Sequence, residues 1–209
     1  YEEAMEQYEI AADLYEGDND QTNANKRWVV VADICAQLKK YERAVELYEK
    51  TARYNMDNNL LRWNAKTFLF KAMICHINNC VDRDDPKVWF HLESVLQRYR
   101  DLNDLFAQSR EYQLCAGLVT SVPNGDLDAY EKAIDAYNKI VKLDTWGIEQ
   151  TKPLRVYIVA KQHAAPKMDE TLDEHIANID KEIQALDQPE EQKDEVDLNG
   201  APDVMSDVK

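Results

Sequence analysis

YERAVELYEK, residues 41–50, places Tyr41, Ala44, Val45 and Tyr48 at i, i+3, i+4 and i+7, the spacing of one helix face. Nearly the same phrase stands at residues 1–9, YEEAMEQYE, and at 130–138, YEKAIDAYN. All three follow Tyr-acid-x-Ala-apolar-acid-x-Tyr. The first two copies start 40 residues apart and the last two 89 apart, an interval that two longer units fill. Paired helices recurring at about this period are the mark of a helical solenoid. In such a stack Ala4, Ala44 and Ala133 let a neighbouring helix approach, and the tyrosines fill the gaps between layers. Each copy is expected to make the same packing contact and to carry no chemistry.

The remaining sequence extends this pattern. Helices are predicted over residues 1–16, 22–40, 41–54, 58–81, 84–100, 109–121 and 127–143. An eighth is predicted from Trp146 to Gln162, started or interrupted at Pro153. The second carries Trp28, Val31, Ile34, Cys35 and Leu38 on one side, and the fourth Leu61, Ala65, Phe68, Ala72 and Cys75. Asp85 suits a cap, Pro86 a first helical position, and PNGD at 123–126 a turn. Hydrophobic residues make up 44%, but with only 5 Gly and 6 Pro and no apolar–polar alternation, a sheet-rich fold is disfavoured. No apolar run approaches the roughly 18 residues of a membrane span. The chain opens at Tyr1, inside a repeat phrase, and reads as a fragment without its upstream part. The expected fold class is all-α, a tetratricopeptide-like helical-hairpin solenoid.

The residues offer little chemistry. Cys75 and Cys80 bracket His76, yet no second ligand pair follows at zinc-site spacing. Small buried thiols at Cys35, Cys75, Cys80 and Cys115 fit the helical pattern better, in a reducing, cytosolic setting. His76, His91, His163 and His175 are scattered. There is no phosphate loop, nucleophile elbow or metal-helix motif. No enzyme activity, cofactor, metal or small-molecule substrate is expected. The net charge is −15, which disfavours nucleic acid as a partner. It is unevenly spread: residues 166–209 hold 14 acids and 4 bases, residues 1–165 hold 26 and 21.

Three stretches are more particular than generic repeats. They are ANKRWVVVADICAQLKKYERAVELYEK (24–50), NMDNNLLRWNAKTFLFKAMICHI (55–77), and the segment from AQSREYQLCAGL to LDAYEKAIDAYNKIVKLDTW (107–146). In order and spacing they resemble the soluble NSF attachment proteins, of the alpha type, over about residues 1–160. The resemblance implies an adaptor that binds the SNARE four-helix bundle and recruits and stimulates the NSF hexamer in vesicle fusion and intracellular transport. It implies a basic SNARE-facing surface, carried here by Lys26 of ANK, Arg62 and Lys66 after the double leucine, and Arg110 of SRE. The family's acidic NSF-facing patch falls on the stretch that begins VTSVPNGD at residue 119, where Asp126 and Asp128 are the acids. The family's membrane-contacting loop is N-terminal and has no counterpart here, so membrane association is expected to be indirect, on the cytosolic face. The alternative is a general tetratricopeptide-like protein-binding scaffold without NSF stimulation.

Three domains are expected: a helical-repeat body over 1–162, an extra amphipathic helix over 163–187, and a disordered acidic tail over 188–209. Leu172, Ile176, Ile179, Ile183 and Leu186 alternate in steps of 4 and 3, a short coiled-coil seam. The tail is too charged to offset its ordering entropy. Within it QKDEVDLN (192–199) resembles the family's acidic, leucine-bearing terminus, with Leu198 in the place of the penultimate leucine.

Overall fold

A computed structural model describes residues 1–164, the side chains of residues 86 and 87 excepted. The described chain is a succession of helices: α1 (Glu2–Gly17), α2 (Gln21–Gln37), α3 (Tyr41–Asp57), α4 (Ala65–Arg83), α5 (Pro86–Leu102), α6 (Asp104–Ala107), α7 (Arg110–Asn124), α8 (Leu127–Asn138) and α9 (Thr145–Ala164). Connections of two or three residues fold α2 against α1, α3 against α2 and α8 against α7. Helix ends thus gather at two opposite edges of the stack. No strand occurs among the described residues. The predicted extra helix and acidic tail lie outside them.

The repeat phrase packs as expected in its second copy, where Tyr41, Ala44, Val45 and Tyr48 are all buried. The third copy shows why alanine stands in the phrase. A Cβ added to Gly117 of α7 would lie 2.7 Å from the Ala133 Cβ, so the two helices touch nearly backbone to backbone. The first copy departs from the expectation of one shared contact. Tyr1 is 78% exposed and Ala4 is exposed too, because α1 is an outermost helix of the described stack and its outer face has no neighbour among the described residues.

Helix α4 is the centre. It packs on α3, α5, α7 and α9, and Leu69, Ala72, Met73, Ile74, Cys75 and Ile77 are buried on nearly all sides of it. A single apolar stripe under-describes such a helix. It also starts later than residue 58. The Asn58 side chain accepts from the Leu60 N–H at 3.0 Å, a turn that competes with helix. A 3-10 turn at Arg62–Asn64 then leads into Ala65. At the end of α8 the Asn138 side chain takes the Leu143 N–H at 3.0 Å, closing the chain where helix was predicted to continue to 143. The PNGD segment is only half a turn: Pro123 and Asn124 finish α7, Gly125 ends it at φ +68°, a conformation that favours glycine. Residues 102–108, left unassigned by the sequence pattern, hold the one-turn α6, capped by Asn103.

Pro153 neither starts nor interrupts α9, which runs through it. The carbonyl that the proline leaves without its helical donor is that of Glu149, an exposed residue open to water. Cross-helix bonds hold the same stretch in place: Asn78 of α4 donates to the Gln150 carbonyl at 2.9 Å and Tyr130 of α8 to the Thr151 carbonyl at 2.9 Å.

Two polar networks cross the core. Asp33 of α2 accepts from the Tyr48 hydroxyl at 2.5 Å and from Lys71 of α4 at 2.7 Å. Lys71 also lies 4.8 Å over the Trp146 ring, which meets Tyr48 edge-on at 6.0 Å. Trp146 of the LDTW motif is thus a packing residue joining α9 to α3 and α4. In the second network the Tyr99 hydroxyl donates to Glu49 at 2.5 Å, and the His76 Nε2 lies 3.2 Å from it. Burial pushes the His76 imidazole down to about 4. The unfolded chain therefore takes up a proton below about pH 6.5 that the folded chain refuses. Stability should fall as the pH drops from 6.5 towards 4, by about 2 kcal/mol at about pH 5. Urea unfolding should show that loss in the native chain and not in His76→Gln.

Candidate functional site

The N-termini of α2, α4 and α7 and the C-termini of α3 and α5 share one edge of the stack. Thr22 and Lys26 of α2, Tyr54 of α3, Asn64 and Phe68 line one cavity. Arg62 lines a second with Met56 and residues Asp101–Leu105. Lys66 of α4 reaches Glu111 of α7, next to Arg110, at 3.1 Å. The four predicted SNARE-facing cations therefore fall on one edge, although they lie up to 84 residues apart in sequence.

They are not equivalent there. Lys26, Arg62 and Arg110 are exposed, and none forms an ion pair among the described residues. Lys26 has only a 3.5 Å contact to Asn23. Lys66 is committed: its side chain is 35% exposed and Glu111 only 13%. Placing a second carboxylate against Glu111 opposes like charges in a poorly hydrated spot. Lys66→Glu should lower stability by about 1–2 kcal/mol, and Lys66→Met by less. Thermal unfolding of the two variants checks this.

The sequence pattern missed the apolar part of this edge. Leu60 is 89% and Trp63 69% exposed, flanking Arg62 in the turn before α4. Reading residues 58–81 as one helix hid them as ordinary helix positions. The signal was a large aliphatic and a tryptophan around an arginine, next to the turn-forming Asn58. Exposed Ile140 and Val141, with Lys139 and Lys142, stand in the connection between α8 and α9. That connection joins the same edge, since Tyr137 stacks on Phe70 at 6.2 Å. Exposed apolar groups among cations are what a protein-binding surface needs.

Asp126 and Asp128 lie at the opposite edge, beyond the far end of α7, about 22 Å from its start. Both are exposed. Asp126 has a structural task, accepting from the Ala129 N–H at 2.9 Å as the cap of α8. The end of α9 is tied to the same place: Lys161 donates to the Pro123 carbonyl at 2.6 Å and Gln162 to that of Gly125 at 2.9 Å. Leu198 lies outside the described residues.

All four cysteines are free and buried, and burial pushes the Cys80 thiol up to about 11. Among the described residues no group of three or more His, Cys, Asp or Glu is arranged to hold a metal, and no helix is long and apolar enough to cross a membrane.

Comparison with known proteins matches residues 1–152 to the family described as "Soluble NSF attachment protein, SNAP". The chain is 35% identical over 145 residues to the alpha-soluble NSF attachment protein of Mus musculus, covering 69% of this chain and 46% of that protein. It is 30% identical over 146 residues to its namesake in Dictyostelium discoideum, covering 70% and 48%. It is 32% identical over 144 residues to a probable vesicular-fusion protein sec17 homolog of Neurospora crassa, covering 69% and 47%. The chain thus spans about half the length of the curated relatives it matches.

Proposed function

We propose, since the chain belongs to the soluble NSF attachment protein family, that it is an adaptor of vesicle fusion: it docks on an assembled SNARE four-helix bundle and brings the NSF ATPase to it for disassembly. The observation that carries this reading is the edge on which exposed Lys26, Arg62 and Arg110 stand beside exposed Leu60 and Trp63. Residues 166–209 hold −10 of the net −15 and residues 1–165 only −5, so these cations stand on a nearly balanced body, where an acidic partner is expected to meet them. Such a field speeds and orients docking. Leu60 and Trp63 supply the apolar anchors that charges alone do not.

The NSF-facing role falls to the opposite edge and to the acidic tail. Asp126 and Asp128 stand about one helix length from the bundle-facing cations, so both partners can be held at once. The reading places the protein on the cytosolic face of membranes, peripherally. It includes no catalysis by this chain: the work of disassembly belongs to the ATPase.

A pull-down against assembled SNARE bundle and against ATP-locked NSF tests the proposal. Bundle capture is expected with the native chain, and NSF capture only when bundle is present. Asp126→Asn with Asp128→Asn keeps the helix cap, because asparagine caps as well as aspartate, and should weaken NSF capture alone. The tail is tested by ATPase stimulation with the full chain, Leu198→Ala, and a chain ending at Gln188. Full stimulation by the shortened chain would place any NSF contact in the helical body. Bundle capture without any NSF response would leave a plain protein-binding scaffold.

A further inference from the structure

We infer that Glu111 limits the affinity of the edge proposed to face the bundle: it is an internal carboxylate that occupies Lys66 and competes for it with an acidic partner. That the partner is the SNARE bundle rests on the proposed function; the pairing of Lys66 with Glu111 does not. The Lys66 ammonium lies 3.1 Å from Glu111 Oε1 and 3.3 Å from Oε2, so it meets both oxygens at once. Glu111 is the less exposed of the two, 13% against 35%, and has little water to turn to in exchange for the lysine. It stands in the first turn of α7, where the helix N-terminus favours a carboxylate. Two attractions thus hold the acid in place, and Lys66 reaches it from α4.

The same edge shows what Lys66 would be without this neighbour. Lys26, Arg62 and Arg110 are exposed and form no ion pair among the described residues. An incoming carboxylate meets a full positive charge at each of them. At Lys66 it meets a neutralised pair: the lysine attracts it, and Glu111 close behind repels it. Exclusion of water on docking strengthens both forces. If Lys66 left Glu111 for the partner, a poorly hydrated carboxylate would be stranded, a costly exchange. An ammonium has three N–H groups, so Lys66 can keep Glu111 and offer one outward, but to an acid that Glu111 still repels. A carboxamide in place of Glu111 keeps the shape and accepts from Lys66 without the opposing charge. Repulsive elements of this kind set partner choice as well as affinity.

The test measures binding to pre-assembled SNARE bundle at low salt for the native chain, Glu111→Gln, Lys66→Met and the variant carrying both changes. Glu111→Gln should tighten binding about tenfold. In the Lys66→Met background the same change should gain at most about threefold, from the long-range field alone. Glu93→Gln, exposed in the middle of α5, makes the same change of net charge elsewhere and is expected to bind as the native chain does. A second readout needs no bundle: amine acylation followed by mass spectrometry. Lys66 should react more slowly than exposed Lys26 in the native chain and approach it in Glu111→Gln. Unchanged or weaker binding by Glu111→Gln, in a chain that melts normally, would overturn the inference. So would an equal gain in the Lys66→Met background or in Glu93→Gln, and so would equal labelling of Lys66 and Lys26 in the native chain. If no chain binds the bundle, the proposed function falls and the competition with it, while the labelling still decides whether Glu111 occupies Lys66.

Discussion

Tyr48→Ala is expected to destabilise the helical body by about 3–5 kcal/mol, a large share of the 5–15 kcal/mol typical of a folded domain. Tyr48 is wholly buried. Its ring meets Trp146 and lies beneath Lys71 at 5.6 Å, and its hydroxyl holds Asp33. Removing the ring opens a cavity where α2, α3, α4 and α9 converge, and it takes one of two donors from Asp33. Tyr48→Phe separates these contributions. It keeps the ring, leaves Asp33 to Lys71, and should cost only about 1 kcal/mol. Urea unfolding followed by circular dichroism measures both. An alanine variant no less stable than the phenylalanine one would show that the repeat phrase does not hold the layers together through its tyrosines.

Reversing two of the three cations that form no ion pair among the described residues, on the edge proposed to face the bundle, is the second large effect. Lys26→Glu with Arg62→Glu should weaken binding to assembled SNARE bundle by well over tenfold at low salt. Stability should hardly change, because changes to exposed, unpaired side chains usually stay within about 0.5 kcal/mol. Lys66 is left alone in this pair, since its ion pair with Glu111 would mix a folding defect into the binding measurement. Lys132→Glu with Lys152→Glu makes the same change of net charge in mid-helix positions of α8 and α9. That control should bind nearly as well as the native chain. Equal losses in the two double variants would mean that net charge, not this edge, governs binding.

The stacking of helices was legible from one phrase because its cause is periodic. In the second and third copies alanine sits at a helix contact with a buried tyrosine on either side. The limits of the elements were less legible, because single side chains decide them. Asn58 and Asn138 each take a backbone N–H and stop a pattern whose periodicity would otherwise run on. The first copy of the phrase looks like the others in sequence and differs in burial, since burial depends on a neighbour the phrase does not encode.

The candidate surface shows the same division. Resemblance singled out four cations, and folding gathers them on one edge, although nothing in their spacing requires it. That Lys66 is held by Glu111 could not be read from positions 45 residues apart. Leu60 and Trp63 were masked by the helix assigned over them.

The central claim is that this chain recognises an assembled SNARE bundle through a basic edge. The most direct measurement is the affinity of the native chain for pre-assembled bundle, titrated at low and at high ionic strength, with the helical spectrum recorded alongside. Binding at low salt that weakens steeply as salt is added is the expected result. An absence of binding at low salt by a fully helical chain, or an affinity indifferent to salt, would contradict the claim.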